Sequence, residues 1–541
     1  MSQNASASFT QRLLARQLNP YAGLWLVVLF VTLTDNLTFF KSVLQFYPWS
    51  PEHLPFILST FVLLVAVLML LLLLFIPQQL IKPAGMLVLV LAASVAYYQD
   101  TFGIIMDEAM IRSILETNPD EAADVINPGM LLRIFLFGIV PAIILYRIPF
   151  SRPPFGRSLL QRAGSLALSV VLIMTCLLSF NGYYTSLFRE HKVVRYYANP
   201  TTTFHALGVT ATHMMMAEAY SDELIETPAR LSKTPAPGKP RLIIMVVGEA
   251  ARAGNFGING YERDTTPLLA NIDVLSFSDV TACGTTTAIS VPCMFSPLGA
   301  DDFSVRDASQ RENLMDVLAR FGVQVQWRDN NSDSKGVALR VPYASFKSAE
   351  VNPVCDVECR DTGMLASLPE DITNAGDKDQ FIVLHQMGSH GPAYYKRYPE
   401  AFKSFTPVCA SNELGQCSQQ EIINAYDNSI LYTDYFLSEV IGFLQQYSEQ
   451  YRTAMIYVGD HGESLGENGL YLHGVPNLFA PDEQRKVPLV MWFSQDFAAN
   501  REALARLVNS PVTHDDLFPY ILSLFGILSE QTGLLSSPDS D

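Results

Sequence analysis

The stretch TAMIYVGDHGESLGENGLYLHG, residues 453–474, decides the fold. It opens as a short apolar run of strand length and closes on Gly459. Asp460, His461 and Glu463 follow at once, and His473 comes a short loop later. A continuous apolar run bounded by glycine suits a strand buried on both faces. Two more segments repeat the design. RLIIMVVGEA (241–250) ends in Gly248 and Glu249, and FIVLHQMGSHGP (381–392) ends in Gly388, Ser389 and His390. From Arg241 onward, short apolar runs alternate with helical stretches, so an α/β domain with a parallel sheet is expected. Ligands of such sheets bind at the carboxyl ends of the strands. Three strands ending in carboxylate or imidazole can therefore converge on one place.

Glutamate, aspartate and histidine without thiolate are ligands of the zinc or manganese type. Each segment alone has a bland reading: a glutamate after a strand often starts a helix, and a lone loop histidine is often structural. The adjacent Asp460 and His461 weigh more, because one tight turn offers two ligands. Of the nine histidines, His385, His390, His461 and His473 lie in these segments.

SFSDVTACGTTTAISVPCMFS (276–296) adds a strand, a glycine, and then Thr285, Thr286 and Thr287 before an apolar run. A helix starting there presents a hydroxyl where free N–H groups and the dipole favour negative charge. Beside a metal, such a hydroxyl would ionise readily and act as a nucleophile. The simpler alternative is a threonine N-cap. WRDNNSDSKGV (327–337) reads either as a solvated polar loop or as a phosphate-binding loop carrying Lys335.

The cysteines speak to the compartment. Cys176 stands alone in an apolar run. The other six form close pairs: Cys283 with Cys293, Cys355 with Cys359, and Cys409 with Cys417. No zinc-finger spacing occurs, so disulfides in an oxidising compartment are expected. The charged fraction is 16% and the hydrophobic fraction 49%, against roughly 25% charged in soluble proteins. That deficit comes from five apolar stretches, near 21–40, 54–76, 80–98, 128–147 and 159–181, each close to bilayer length. Arginines at 12, 16, 147, 152, 157 and 162 place the N-terminus and the 147–162 loop in the cytoplasm. The acidic 100–126 loop, and everything after about 182, then lie outside. Asp35, near the outer end of the first span, reads either as a functional carboxylate within a membrane segment or, the reading preferred here, as an interfacial residue facing water. The net charge of −17 excludes a basic nucleic-acid footprint. The chain divides into a helical bundle (1–182), an amphipathic connector with MMMAEAY and the Pro-rich RLSKTPAPGKP (183–240), and a catalytic domain (241–541).

These motifs resemble those of lipid A phosphoethanolamine transferases, including the mobile colistin-resistance type. The matching stretches are VVGEAARAGNFGINGYERDTTP, VTACGTTTAISVPCMFS, WRDNNSDSKG, LHQMGSHGPAYYKRYP, AYDN and YVGDHGESLGENGLYLHGVPNLFAPDEQRKVP. The resemblance implies five spans and a periplasmic α/β domain of the alkaline-phosphatase (sulfatase-like) type, anchored in the bacterial inner membrane. It implies zinc held tightly by Glu249, Asp460 and His461, with Thr287 as zinc-bound nucleophile. His390 and His473, with Asn331 and Lys335, fall where the family binds phosphate or a second, weaker zinc, which Glu463 could join. His390 and His473 are also the candidate proton carriers. The donor would be phosphatidylethanolamine, the acceptor lipid A, and the outcome polymyxin resistance. A monomer is expected. The family's disulfides match all three pairs, but the SGCKGVC that related members often carry reads NSDSKGV here (331–337), so at least one disulfide of those relatives is absent from the Lys335 loop. Two rivals share the fold: a phosphoglycerol transferase, and a sulfatase, whose CxPxR-like motif CGTTT lacks. A non-catalytic glycolipid-binding module is the rival from another class.

Overall fold

The computed structural model of the chain describes residues 17–117, 119–217, 224–232 and 238–536. Two compact units emerge, one of 1–108 with 126–209, the other of 109–125 with 210–541.

In the first unit, Leu54–Phe75, Gln78–Phe102, Pro128–Arg147 and Phe155–Ser179 are long and apolar enough to cross a membrane. The expected first span is a bent pair of helices, Pro20–Thr34 and Leu37–Phe46, which meet at 58° and together are also long and apolar enough to cross. The break falls at Asp35 and Asn36, and polar side chains take up the backbone groups it frees. Asn36 Nδ2 donates to Val31 O (3.2 Å), and Asn199 Nδ2 donates to Asp35 O (2.9 Å). Backbone left unpaired in hydrocarbon is costly, so a broken helix needs such partners. Asp35 does not face water. It is fully buried, and Arg133 lies 3.2 Å away with Asp100 on its other side (3.4 Å). The expectation failed because the pairing arginine sits far away in sequence. In MMMAEAY, residues 218–220 lie outside the described residues, as do 233–237 of the Pro-rich stretch.

The second unit is built on an eight-stranded sheet. Its strands in chain order are β1 (Arg241–Gly248), β2 (Leu275–Thr281), β3 (Gln324–Asp329), β4 (Tyr343–Ser345), β5 (Gln380–His385), β6 (Arg452–Gly459), β7 (Lys486–Phe493) and β8 (Val512–Thr513). The spatial order is β8-β2-β7-β6-β1-β5-β3-β4. The expected parallel sheet holds for β6, β1, β5, β3 and β4, but β7 runs antiparallel to both β6 and β2. The connection agrees with this: residues 460–485 hold only short helical turns and a two-stranded hairpin, with no long crossover helix of the kind that usually links parallel strands. In β1, Ile243, Met245 and Val247 join the main core, while Leu242, Ile244 and Val246 are equally inaccessible on the other face. Burial on both faces explains the unbroken apolar run. Helix α1 (Thr287–Met294) follows β2, and the long helix α2 (Gln419–Gln446) packs against β6.

Register then positions the strand ends. Gly248 of β1 pairs with Gly459 of β6, which sets Glu249 beside Asp460. Val247 pairs with His385, and His385 with Asp329, so the turns after β5 and β3 rise from the same edge. The acidic stretch from the N-terminal half is helical (Glu108–Glu116 and Pro119–Val125), and its 109–125 portion belongs to this unit. Asp124 is 5% exposed and paired with Lys396 (2.5 Å) and Arg397 (2.6 Å).

Candidate metal and nucleophile site

Three threonines in a row have three different tasks. Thr285 turns away and donates to Val475 O (2.7 Å), while its own carbonyl accepts from Gly474 N (2.9 Å). That ties the loop bearing His473 to the start of α1. Thr286 is the N-cap, with extended backbone. Thr287 opens the helix, and its Oγ1 lies 3.3 and 3.2 Å from the two Glu249 oxygens and 3.3 Å from His461 Nε2. The Cys283–Cys293 disulfide closes this turn, and Cys355–Cys359 and Cys409–Cys417 are also bonded.

Glu249, Asp460 and His461 offer ligand atoms that all lie within 4.8 Å of one another, and all three are buried. Each is oriented by its surroundings. Asn331 Nδ2 donates to Glu249 Oε2 (2.7 Å) and to Gln386 O (2.7 Å). Asp460 Oδ1 accepts from Ala250 N (3.0 Å) and His461 N (2.7 Å), while the buried Oδ2 has no hydrogen-bond partner. His461 Nδ1 sits 2.9 Å from Gly462 O. Donation there leaves the Nε2 lone pair turned toward the carboxylates, as a metal ligand requires.

The electrostatics call for a cation. Burial alone would lower His461, but the Asp460 charge and the Glu249 carboxylate overturn that and push it up to about 10. Burial, then the charge of Glu249, raises Asp460. Burial works against ionisation of Glu249 too, yet the hydrogen bond and charge of His461 hold it well below the usual carboxylate range. Two buried carboxylates that draw a positive charge onto an imidazole, one with an oxygen that accepts no hydrogen bond, fit a divalent metal.

The remaining candidates surround this cluster. The His473 ring lies 4.2 Å from that of His461, and the His390 ring 5.8 Å from that of His473. Glu463 accepts from Tyr394 (2.8 Å), and burial pushes it up to about 8. His390, His473 and Glu463 form no second close group of metal ligands among the described residues. Lys335 Nζ donates to Ser332 O (2.9 Å) and Glu116 O (3.4 Å). The stretch around it is not a solvated loop: Trp327, Arg328, Asp329, Asn330 and Asn331 are all buried, because the first three complete β3. In place of the absent disulfide, Asp333 N donates to Asp329 Oδ2 (3.1 Å) and Ala338 N to Ser334 Oγ (3.1 Å). Sequence reasoning missed His514 and Ser290. His514 Nε2 lies 2.9 Å from Gly459 O, its Nδ1 takes Cys283 N (3.2 Å), and Ser290 Oγ donates to Asp460 O. Burial lowers His514 to about 4, so it is neutral and structural. Its isolation in THDD gave no signal.

A mixed α/β sheet with a buried cluster of candidate metal ligands at its strand ends, joined to a unit whose helices are long and apolar enough to cross a membrane, defines an enzyme of the sulfatase fold with a helical membrane domain. Residues 241–527 match the sulfatase family model, and residues 64–215 match that of the phosphoethanolamine transferases EptA/EptB. The chain is 43% identical to phosphatidylethanolamine transferase Mcr-1 of Escherichia coli, over 95% of this chain and 96% of Mcr-1. It is 35% identical to phosphoethanolamine transferase EptA of Escherichia coli K12, over 96% of each. The solved integral-membrane lipooligosaccharide phosphoethanolamine transferase EptA of Neisseria meningitidis superposes with a TM-score of 0.89 at 32% identity, covering 97% of both chains. The chain belongs to the phosphoethanolamine transferase family.

Proposed function

We propose that this transferase moves phosphoethanolamine from phosphatidylethanolamine to a phosphate of lipid A, through a covalent Thr287 intermediate. The observation that carries the reading is Thr287 Oγ1 facing the Glu249 carboxylate and His461 Nε2 at 3.2–3.3 Å. Zinc held by Glu249, Asp460 and His461 would lower the pKa of the hydroxyl and offset charge on the transferring phosphoryl group. In the first step Thr287 Oγ1 forms a bond to the donor phosphorus, the bond from phosphorus to the glycerol oxygen breaks, and diacylglycerol leaves with a proton. In the second step a lipid A phosphate oxygen attacks the same phosphorus, the bond from phosphorus to Thr287 Oγ1 breaks, and Thr287 Oγ1 regains a proton as the acceptor phosphate loses one. His390 or His473 carries that proton in each direction.

Lipid substrates give the membrane helices their purpose, and three disulfides suit a periplasmic catalytic domain on an inner-membrane anchor. Capping an acceptor phosphate with an amine removes negative charge, which weakens binding of polymyxins and colistin. The test uses the full chain in detergent with headgroup-labelled phosphatidylethanolamine. Label should reach Thr287 and then lipid A. Transfer to lipid A with no labelled protein at any time would sink the covalent reading. Binding of glycolipid without any transfer would favour the non-catalytic module.

A further inference from the structure

Asp361 stands just past the Cys355–Cys359 disulfide and is 3% exposed. Its carboxylate gathers four N–H donors. Oδ1 accepts from Asn330 Nδ2 (2.8 Å) and Met387 N (2.9 Å), and Oδ2 accepts from Gly388 N (3.3 Å) and Gln386 Nε2 (3.3 Å). No lysine, arginine or histidine among the described residues forms an ion pair with it. An unpaired buried carboxylate is tolerated only while such donors stay in place. The anion therefore fixes whatever it holds, which is the end of β3 and the turn after β5.

Both segments lead to Glu249. Asn331, next to the held Asn330, bridges Glu249 Oε2 and the carbonyl of Gln386. Gly388 has φ +53° and lies against the Glu249 backbone, where a Cβ would stand 2.8 Å from Glu249 O. Ser389 N donates to that same oxygen (3.0 Å). One route from Asp361 thus reaches the Glu249 carboxylate and the other reaches its main chain.

We propose that Asp361 is a positioning residue for metal binding: it holds Asn330 and the 386–388 turn so that Glu249 presents its carboxylate to the cation. This rests on reading Glu249, Asp460 and His461 as the zinc site. Groups that orient metal ligands typically change affinity by about 10–100-fold when altered. Asp434 supplies the control for a merely structural role. It is likewise fully buried and accepts two main-chain N–H groups, from Leu268 (2.8 Å) and Leu269 (2.9 Å), but none of these partners is a site residue.

The experiment takes the full chain in detergent, stripped of metal, and titrates zinc against a chromophoric chelator, with the melting temperature of each metal-free protein alongside. Asp361→Asn should weaken zinc binding by about 10–100-fold. Asp434→Asn should lower the melting temperature and leave zinc affinity within about threefold. Wild-type affinity in Asp361→Asn overturns the proposal, as does an equal loss in Asp434→Asn. Where Asp361→Asn does not fold, Asn330→Ala removes one donor only. It should weaken binding several-fold, and unchanged binding there overturns the proposal too. A wild type that takes no zinc removes the metal reading itself, a failure distinct from the others.

Discussion

Replacing Thr287 by serine and by valine separates the oxygen from the methyl group. Serine keeps the nucleophile but loses the γ-methyl that restricts χ1. With three staggered wells and one productive, the cost is at most RT ln 3, about 0.65 kcal/mol, or roughly threefold in rate. Valine keeps the shape and removes the oxygen. The lost contacts are long, 3.2–3.3 Å, so stability should move by no more than about 1 kcal/mol. Turnover should fall by at least about a thousandfold, some 4 kcal/mol, because nothing else occupies that position. The assay is diacylglycerol release from phosphatidylethanolamine in detergent, with intact-mass analysis to find the adduct. Valine turnover within tenfold of wild type, or an adduct on the valine protein, would refute the reasoning.

Other outcomes follow from the same geometry. Glu249→Gln should lower the zinc content of purified protein, and chelation of the wild type should lower its melting temperature through loss of bound ligand; an unchanged metal content in the variant would count against the site. Asp124→Ala should cost about 3–5 kcal/mol in denaturant unfolding, since it leaves two cations beside an empty place. Burial opposes the Asp124 charge, but Arg397 and Lys396 hold its carboxyl below the ordinary value. Its contribution is therefore present above the unfolded pKa near 3.9 and lost as pH falls through the lower folded one; a stability difference from wild type that stays constant down to pH 2 contradicts this. Replacing Cys283 and Cys293 together by serine should cost about 2–3 kcal/mol for so short a loop. It should also slow turnover by loosening Thr287, and full activity in that variant would show the hydroxyl is held by other means.

Much of the catalytic unit was legible because its signals are local. An apolar run ended by glycine announces a strand, and register does the rest: Gly248 opposite Gly459 brings Glu249 to Asp460. The cysteine pairs and the hydroxyl at the start of α1 are short-range as well. What escaped notice depends on distant partners. Asp35 looked like a water-facing residue because Arg133 lies 98 positions away. The antiparallel β7 carries the same apolar pattern as its parallel neighbours, since both kinds of strand are buried on two faces. Asp361 and His514 act on the site through other residues, so no motif marks them. The stretch 327–332 is polar in composition yet buried, because its polar groups find partners inside the protein.

The helical segment 109–125 has a consequence for the order in which this protein becomes complete. Asp124 is synthesised long before Lys396 and Arg397, so the segment must wait without these partners while more than two hundred further residues emerge. A fragment trimmed to the C-terminal part alone would leave Arg397 balanced only by Glu358. Its affinities and melting behaviour would then describe an electrically altered molecule, and supplying the missing peptide in trans should restore part of the difference.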